Sequence, residues 1–129
     1  MKTLTRAKDL QSRTKTFAVR VIKAFSRLPK DEVARIIGRQ LLRSGTSLAA
    51  NYRASCRSRS AADFISKISV VTEETDETLF WLELLVESEV IKRKVVEALM
   101  TECEELLKIF SASLATARSN RSIAQSLNR

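Results

Sequence analysis

Histidine is absent from this 129-residue chain, and proline (one), glycine (two), cysteine (two), tryptophan (one) and tyrosine (one) are scarce. Without histidine there is no imidazole for acid–base work near neutral pH, and the commonest metal ligand is missing. Cys56 and Cys103 stand 47 positions apart, a spacing that fits no zinc or cluster motif. No metal and no cofactor is therefore expected, and two free thiols point to a reducing, cytoplasmic setting. Neither a phosphate-cradling glycine loop nor a recognisable pair of carboxylates can be written, so the expected protein is not an enzyme. Scarcity of turn-forming residues excludes a sheet of tight hairpins. No apolar run is long enough for a signal peptide or a membrane span. A basic transit peptide is outweighed by the core-like spacing of Leu10, Phe17, Val21 and Leu28. Few aromatics leave only Tyr52 and Trp81 as stacking platforms, so base-specific readout is not expected.

What the chain has is charge, unevenly distributed. The formal net charge is +8. Residues 1–60 carry fifteen Lys and Arg against three acids, whereas residues 61–90 carry one Lys against eight acids. Such segregation suits a polyanionic partner, with RNA or DNA ahead of anionic lipid, or charge-complementary assembly, or both.

Apolar periodicity is helical throughout. Leu10, Thr14, Phe17, Val21, Ala24 and Leu28 recur at steps of four and three and predict a helix over about 5–27, widened by Ala18, Ile22 and Phe25. Arg6, Arg13, Arg20 and Arg27 repeat every seven residues on another face. Pro29 ends this helix and Asp31 caps a second, over about 32–56, with an inner line of Val33, Ile37, Leu41, Ser44, Leu48 and Tyr52. Gln40, Ser44, Ser47 and Asn51 form an uncharged polar seam beside Gly45, Ala49 and Ala50, where a neighbouring helix can approach closely. Ser60 and Asp63 resemble a capping box opening a third helix, about 61–87, lined by Phe64, Ile68, Val71, Thr75, Thr78 or Leu79, Leu82 and Leu85. A weakly signalled break near Ser88 precedes a fourth helix, about 91–118, lined by Val96, Leu99, Cys103, Leu106, Phe110 and Ala117. Residues 119–129 read as a polar, basic, disordered tail. One domain of four similar helices with short connections packs as an antiparallel up-down-up-down four-helix bundle, an all-α fold.

Three groups of residues are functional candidates. Arg13, Arg20, Lys23, Arg27 and Lys30 on the first helix, with Arg35, Arg39, Arg43, Arg53 and Arg57 on the second, can contact phosphate oxygens. The bland alternative is a solvated face, or pairing with the acids of the third helix. Phe80, Trp81, Leu84 and Leu85 make the third helix apolar almost all round, which suits a subunit interface or a wider core. The polar seam is expected to tie helices through buried hydrogen bonds, with a small-ligand pocket as the alternative. Cys103 reads as a core thiol. Cys56, although set among Arg53, Arg57 and Arg59, reads as inert because no base stands at a recognisable spacing.

The block Gln40-Leu41-Leu42-Arg43-Ser44-Gly45-Thr46-Ser47-Leu48-Ala49-Ala50-Asn51-Tyr52-Arg53-Ala54 is followed by Ala62-Asp63-Phe64-Ile65 and by Glu73-Glu74-Thr75-Asp76-Glu77-Thr78-Leu79-Phe80-Trp81-Leu82. Together these resemble the four helix bundle proteins encoded in intervening sequences of 23S ribosomal RNA, over about residues 8–117. The resemblance implies an antiparallel bundle, a ring-like homopentamer, a role with RNA or other nucleic acid, and no catalytic residues. A more distant similarity, to the accessory protein of diversity-generating retroelements, implies a basic surface for nucleic acid and a reverse transcriptase as protein partner. The expected function is thus an oligomeric bundle that binds RNA or DNA backbones with little sequence preference. The competing expectation is an assembly or adaptor protein whose charges serve docking alone.

Overall fold

The computed structural model describes residues 2–128, with side chains described from Arg6 onward. Four helices follow in order: α1 (Lys2–Ser26), α2 (Glu32–Ser55), α3 (Ala61–Glu87) and α4 (Arg93–Leu127). No strand occurs among the described residues. Each connection is five residues long, which folds consecutive helices back on one another as an antiparallel four-helix bundle.

Each junction has a local cause. Pro29 cannot donate a backbone N–H, and Asp31 then caps α2 by accepting a 3.0 Å hydrogen bond from the Ala34 N–H. Ser60 caps α3 by accepting from the Asp63 N–H at 3.0 Å, while the Asp63 carboxylate accepts from the Arg59 N–H at 3.1 Å. That amide, and Lys67 after it, hold the Asp63 carboxyl below the usual carboxylate range. α3 ends in a Schellman turn: Val90 N–H donates to Leu85 O (3.1 Å) and Glu89 N–H to Val86 O (3.0 Å). The left-handed position is held by Glu89, at φ 62°, where glycine is usual. This is why no glycine or proline marks the break. α4 starts without a side-chain cap, and Arg93 and Lys94 oppose the positive end of its dipole.

The core runs the length of the bundle through Phe17, Val21, Leu41, Leu48, Ile68, Val71, Leu82, Leu85, Leu106 and Phe110, all fully buried. Val33, expected in the core, is 55% exposed, because the inner line of α2 starts one residue later at Ala34 and Gly38. Ile22, expected to widen the α1 stripe, is 46% exposed. Glycine sets how closely α1 and α2 approach. A Cβ on Gly38 would lie 2.7 Å from Leu28 Cδ1, and one on Gly45 would lie 2.8 Å from Val21 Cγ1. As numbering rises by seven on α2 it falls by seven on α1, the mark of an antiparallel pair.

α4 differs from expectation at its end. It continues nine residues past 118, through the segment expected to be a disordered tail, and every residue from Arg118 to Asn128 is exposed. No Gly or Pro interrupts it. Arg118, Arg121, Ala124, Gln125 and Leu127 are good helix formers that extend a helix already nucleated by the bundle.

Candidate nucleic-acid interface

The ten basic candidates divide into residues that are tied down and residues that are not. Arg13 is tied across the seam between α1 and α4. Its Nε and Nη2 donate to the two carboxylate oxygens of Glu102 at 2.7 and 2.6 Å, and Nη2 also donates to Glu105 at 2.6 Å. The Arg13 guanidinium holds the Glu102 carboxyl below the ordinary carboxylate range, with Arg20 adding to the effect through space. The Glu102 bond in turn raises the Arg13 pKa. Arg43 is tied across α2 and α3, donating to Glu77 and, at 3.3 Å, to Glu74. Burial pushes the Glu74 carboxyl up and outweighs the attraction of Arg43. For Arg13 and Arg43 the acids of α3 and α4 are therefore the partners within the same chain.

The other eight candidates, Arg20, Lys23, Arg27, Lys30, Arg35, Arg39, Arg53 and Arg57, make no ion pair among the described residues. All but Arg20 are exposed. The fold separates them. Lys23, Arg27, Lys30, Arg35 and Arg39 cluster at the end formed by the α1–α2 connection, where the α3–α4 connection also lies. Arg53 and Arg57 stand at the opposite end, with Arg59 on the α2–α3 connection and Arg6 and Lys8 on the first turns of α1. Arg118 and Arg121 on α4 join this second group. Sequence reasoning left Arg121 out by treating 119–129 as a tail, and left Arg118 out although it placed it as the last residue of the fourth helix. The continuing four-three spacing of Leu114, Arg118, Arg121 and Gln125 was the signal that could have found them.

The polar seam is only partly a tie between helices. Ser44 is fully buried and accepts a 2.9 Å bond from Thr78 Oγ1 on α3. Asn51 donates to Ser47 within α2, and Gln40 accepts from Arg43. The half-buried positions of Gln40, Ser47 and Asn51 on the flank of α2 explain why they do not reach a neighbour's core.

The apolar candidates also divide. Leu85 is fully buried in the chain's own core, in phase with Thr78 and Leu82, and is not available to a second subunit. Phe80 is 50% exposed and meets Trp81 edge-on, with ring centroids 4.9 Å apart. Trp81 and Leu84 are half-buried, and the indole N–H is enclosed with no hydrogen-bond partner among the described residues. By the α2–α3 register set by Ser44–Thr78, exposed Ile36 and Val33 on α2 stand at the level of Val86 to Glu89, just beyond Leu84. Both thiols are free. Cys103 is buried and donates to Thr75 O at 3.3 Å, and burial pushes its pKa up to about 12; Cys56 is exposed. Among the described residues no cluster of His, Cys, Asp or Glu is placed to hold a metal ion, and no helix is long and apolar enough to cross a membrane.

The pattern of the family described as 23S rRNA-intervening sequence protein matches residues 7–112. The chain belongs to that family. Among solved structures it is similar to a protein of unknown function from the S23 ribosomal protein family of Bacteroides thetaiotaomicron VPI-5482, with a TM-score of 0.75 and 34% identity. That likeness covers 81% of this chain and 96% of the other. Among curated proteins none matches. The match to the intervening-sequence family spans the bundle and stops within α4, so Arg118 and Arg121 lie outside it.

Proposed function

We propose that this chain is a non-enzymatic, self-associating four-helix bundle of the cytoplasm that holds RNA or DNA by its phosphate backbone, with little sequence preference. The observation that carries this reading is the set of exposed cations on α1, α2 and the connections that follow them that make no ion pair among the described residues. Guanidinium groups in such positions exchange condensed counterions for contacts to phosphate oxygens. The test is affinity for a generic RNA measured against rising salt. Affinity is expected to fall steeply and log-linearly, and absence of binding at low salt would remove the reading.

Self-association draws support from exposed Val33, Ile36 and Phe80 and half-buried Trp81 and Leu84, apolar surface that a copy of the chain can cover. A homopentamer is the assembly we propose from the family resemblance. Trp81→Ala is expected to lower the molar mass measured by light scattering on a sizing column. An unchanged mass in dilute solution would count against Trp81 as an anchor.

The same patch also favours a second reading, an adaptor that docks a protein partner and binds no nucleic acid. Against it, the acids nearest to Arg13 and Arg43 already pair inside one chain, and the other eight candidate cations make no ion pair among the described residues. Charge reversal of Arg27, Arg35 and Arg39 with Arg53 and Arg57 separates the two. The first reading expects lost nucleic-acid binding with an intact oligomer, the second a broken oligomer.

A further inference from the structure

We propose that backbone phosphates are gripped at the end of the bundle where α2 meets α3, and that the overhang of α4 supplies two of the grips, Arg118 and Arg121. This rests on the nucleic-acid reading above and adds a place and residues to it. α4 has 35 residues and α3 has 27, so they span about 52 and about 40 Å. The Cys103–Thr75 contact fixes their register and puts the residues after about 117 beyond the start of α3.

Along α4 the inner line reads Leu99, Cys103, Leu106, Phe110, Leu114 while α3 is there to cover it. Beyond α3 the same line continues at steps of four, three and four as Arg118, Arg121 and Gln125. A face that is apolar inside the bundle turns cationic where the bundle stops. These side chains, with Ile65 and Ser122, line an open groove of about 410 Å³. Two guanidinium groups, a hydroxyl and a primary amide there all donate hydrogen bonds, the chemistry that phosphate oxygens accept. Arg53 sits at the adjoining end of α2, with Arg57 and Arg59 on the connection to α3. Among the described residues the acids at this end are Asp9 and Asp63, and Asp63 is held by Lys67 at 3.1 Å.

A membrane surface fits less well. Ile123 and Leu127 are the only large apolar residues on the overhang, too small a face to hold a helix in the interface. The overhang makes no buried contact of its own, so its helix is marginal until phosphate oxygens neutralise its arginines.

The test is fluorescence anisotropy with labelled single-stranded RNA and DNA of equal length at low salt. It compares the wild-type chain, R118E/R121E, and K92E/K94E, which makes the same charge change at the opposite end. R118E/R121E is expected to bind at least about tenfold more weakly and to lower the salt slope by about 1.4, with K92E/K94E within about threefold of wild type. Hydrogen exchange at residues 119–127 is expected to slow when RNA is added to the wild-type chain. Equal losses in both variants would reduce the effect to net charge and overturn the proposal. Unchanged binding in R118E/R121E would overturn it while leaving the nucleic-acid reading intact. Failure of the wild-type chain to bind either probe would overturn both. Equal affinity for vesicles rich in anionic lipid would transfer the groove to a membrane and overturn it as well.

Discussion

The two ends of the bundle carry comparable numbers of cations and differ in their acids. At the hairpin end, Lys23, Arg27, Lys30, Arg35, Arg39, Lys92, Arg93 and Lys94 share the surface with Asp31, Glu32, Glu83, Glu87, Glu89 and Glu97. At the other end, Arg6, Lys8, Arg53, Arg57, Arg59, Arg118 and Arg121 face, among the described residues, only Asp9 and the occupied Asp63. Charges closer than a Debye length, about 8 Å at physiological salt, add or cancel before a ligand feels them. A net charge of +8 hides this difference. The acids of α3 and α4, by their place in the fold, decide where positive potential survives.

The comparison can be broken most forcefully at the cationic end itself. Reversing Arg53, Arg57 and Arg59 to Glu is expected to weaken RNA binding by about a hundredfold at low salt, against a severalfold loss for Arg27, Arg35 and Arg39. Anisotropy titrations of the two triple variants check this, and equal losses would erase the distinction between the ends.

Stability effects come next and separate the packed middle from the hairpin end. Gly45→Ala places a Cβ against the stiff, branched Val21, and overpacking outweighs the gain in helix propensity. A loss of about 1–2 kcal/mol is expected. Gly38→Ala meets only the flexible tip of Leu28 and is expected to stay within about 0.5 kcal/mol of wild type. Urea melts of the two variants test the pair.

Arg13→Ala opens the clasp between α1 and α4. Both partners are partly solvated, so screening limits the expected loss to about 1 kcal/mol. Glu102 has a folded pKa below its unfolded one, so its contribution is fully present above the unfolded value and disappears as pH falls through the folded value. The stability gap between wild type and Arg13→Ala is therefore expected at neutral pH and to close in acid, as measured by melts across that range. A gap that persisted at the acid limit would assign the Arg13 effect to packing of its methylenes. Glu89→Gly relieves a left-handed glutamate and is expected to stabilise by about 0.5–1 kcal/mol, with RNA affinity changed less than about twofold.

Most of the fold was legible because helical periodicity and caps are local signals. The α3 limits follow from Ser60 and from the apolar line ending at Leu85, and the α2 start follows from Asp31 and Pro29. Where the fold departed from expectation, the deciding physics was not local. Val33 and Ile37 both suit an inner line from spacing alone, and only the close approach of α1 at Gly38 and Gly45 rotates α2 so that Ala34 takes the buried place. The Glu89 turn uses a residue with no turn preference. α4 outruns its expected end because nothing in 119–127 stops a helix, although nothing there packs it either.

The candidate interface was legible in kind and less so in detail. Charge segregation identified basic helices, and spacing placed Phe80, Trp81 and Leu84 together on α3. Which arginines are free depends on partners 31 to 92 positions away, as for Arg43 with Glu74 and Arg13 with Glu105. No periodicity in one segment contains that information. Arg118 and Arg121 acquire meaning only once α3 is known to stop short of them.

The most direct measurement is an arginine footprint. Phenylglyoxal modification of the native protein, mapped by mass spectrometry with and without saturating RNA, reads each guanidinium separately. Protection is expected at Arg53, Arg57, Arg59, Arg118 and Arg121, with Arg27, Arg35 and Arg39 modified much as in the free protein. Protection confined to the hairpin end, or none anywhere under conditions of saturated binding, would contradict the account.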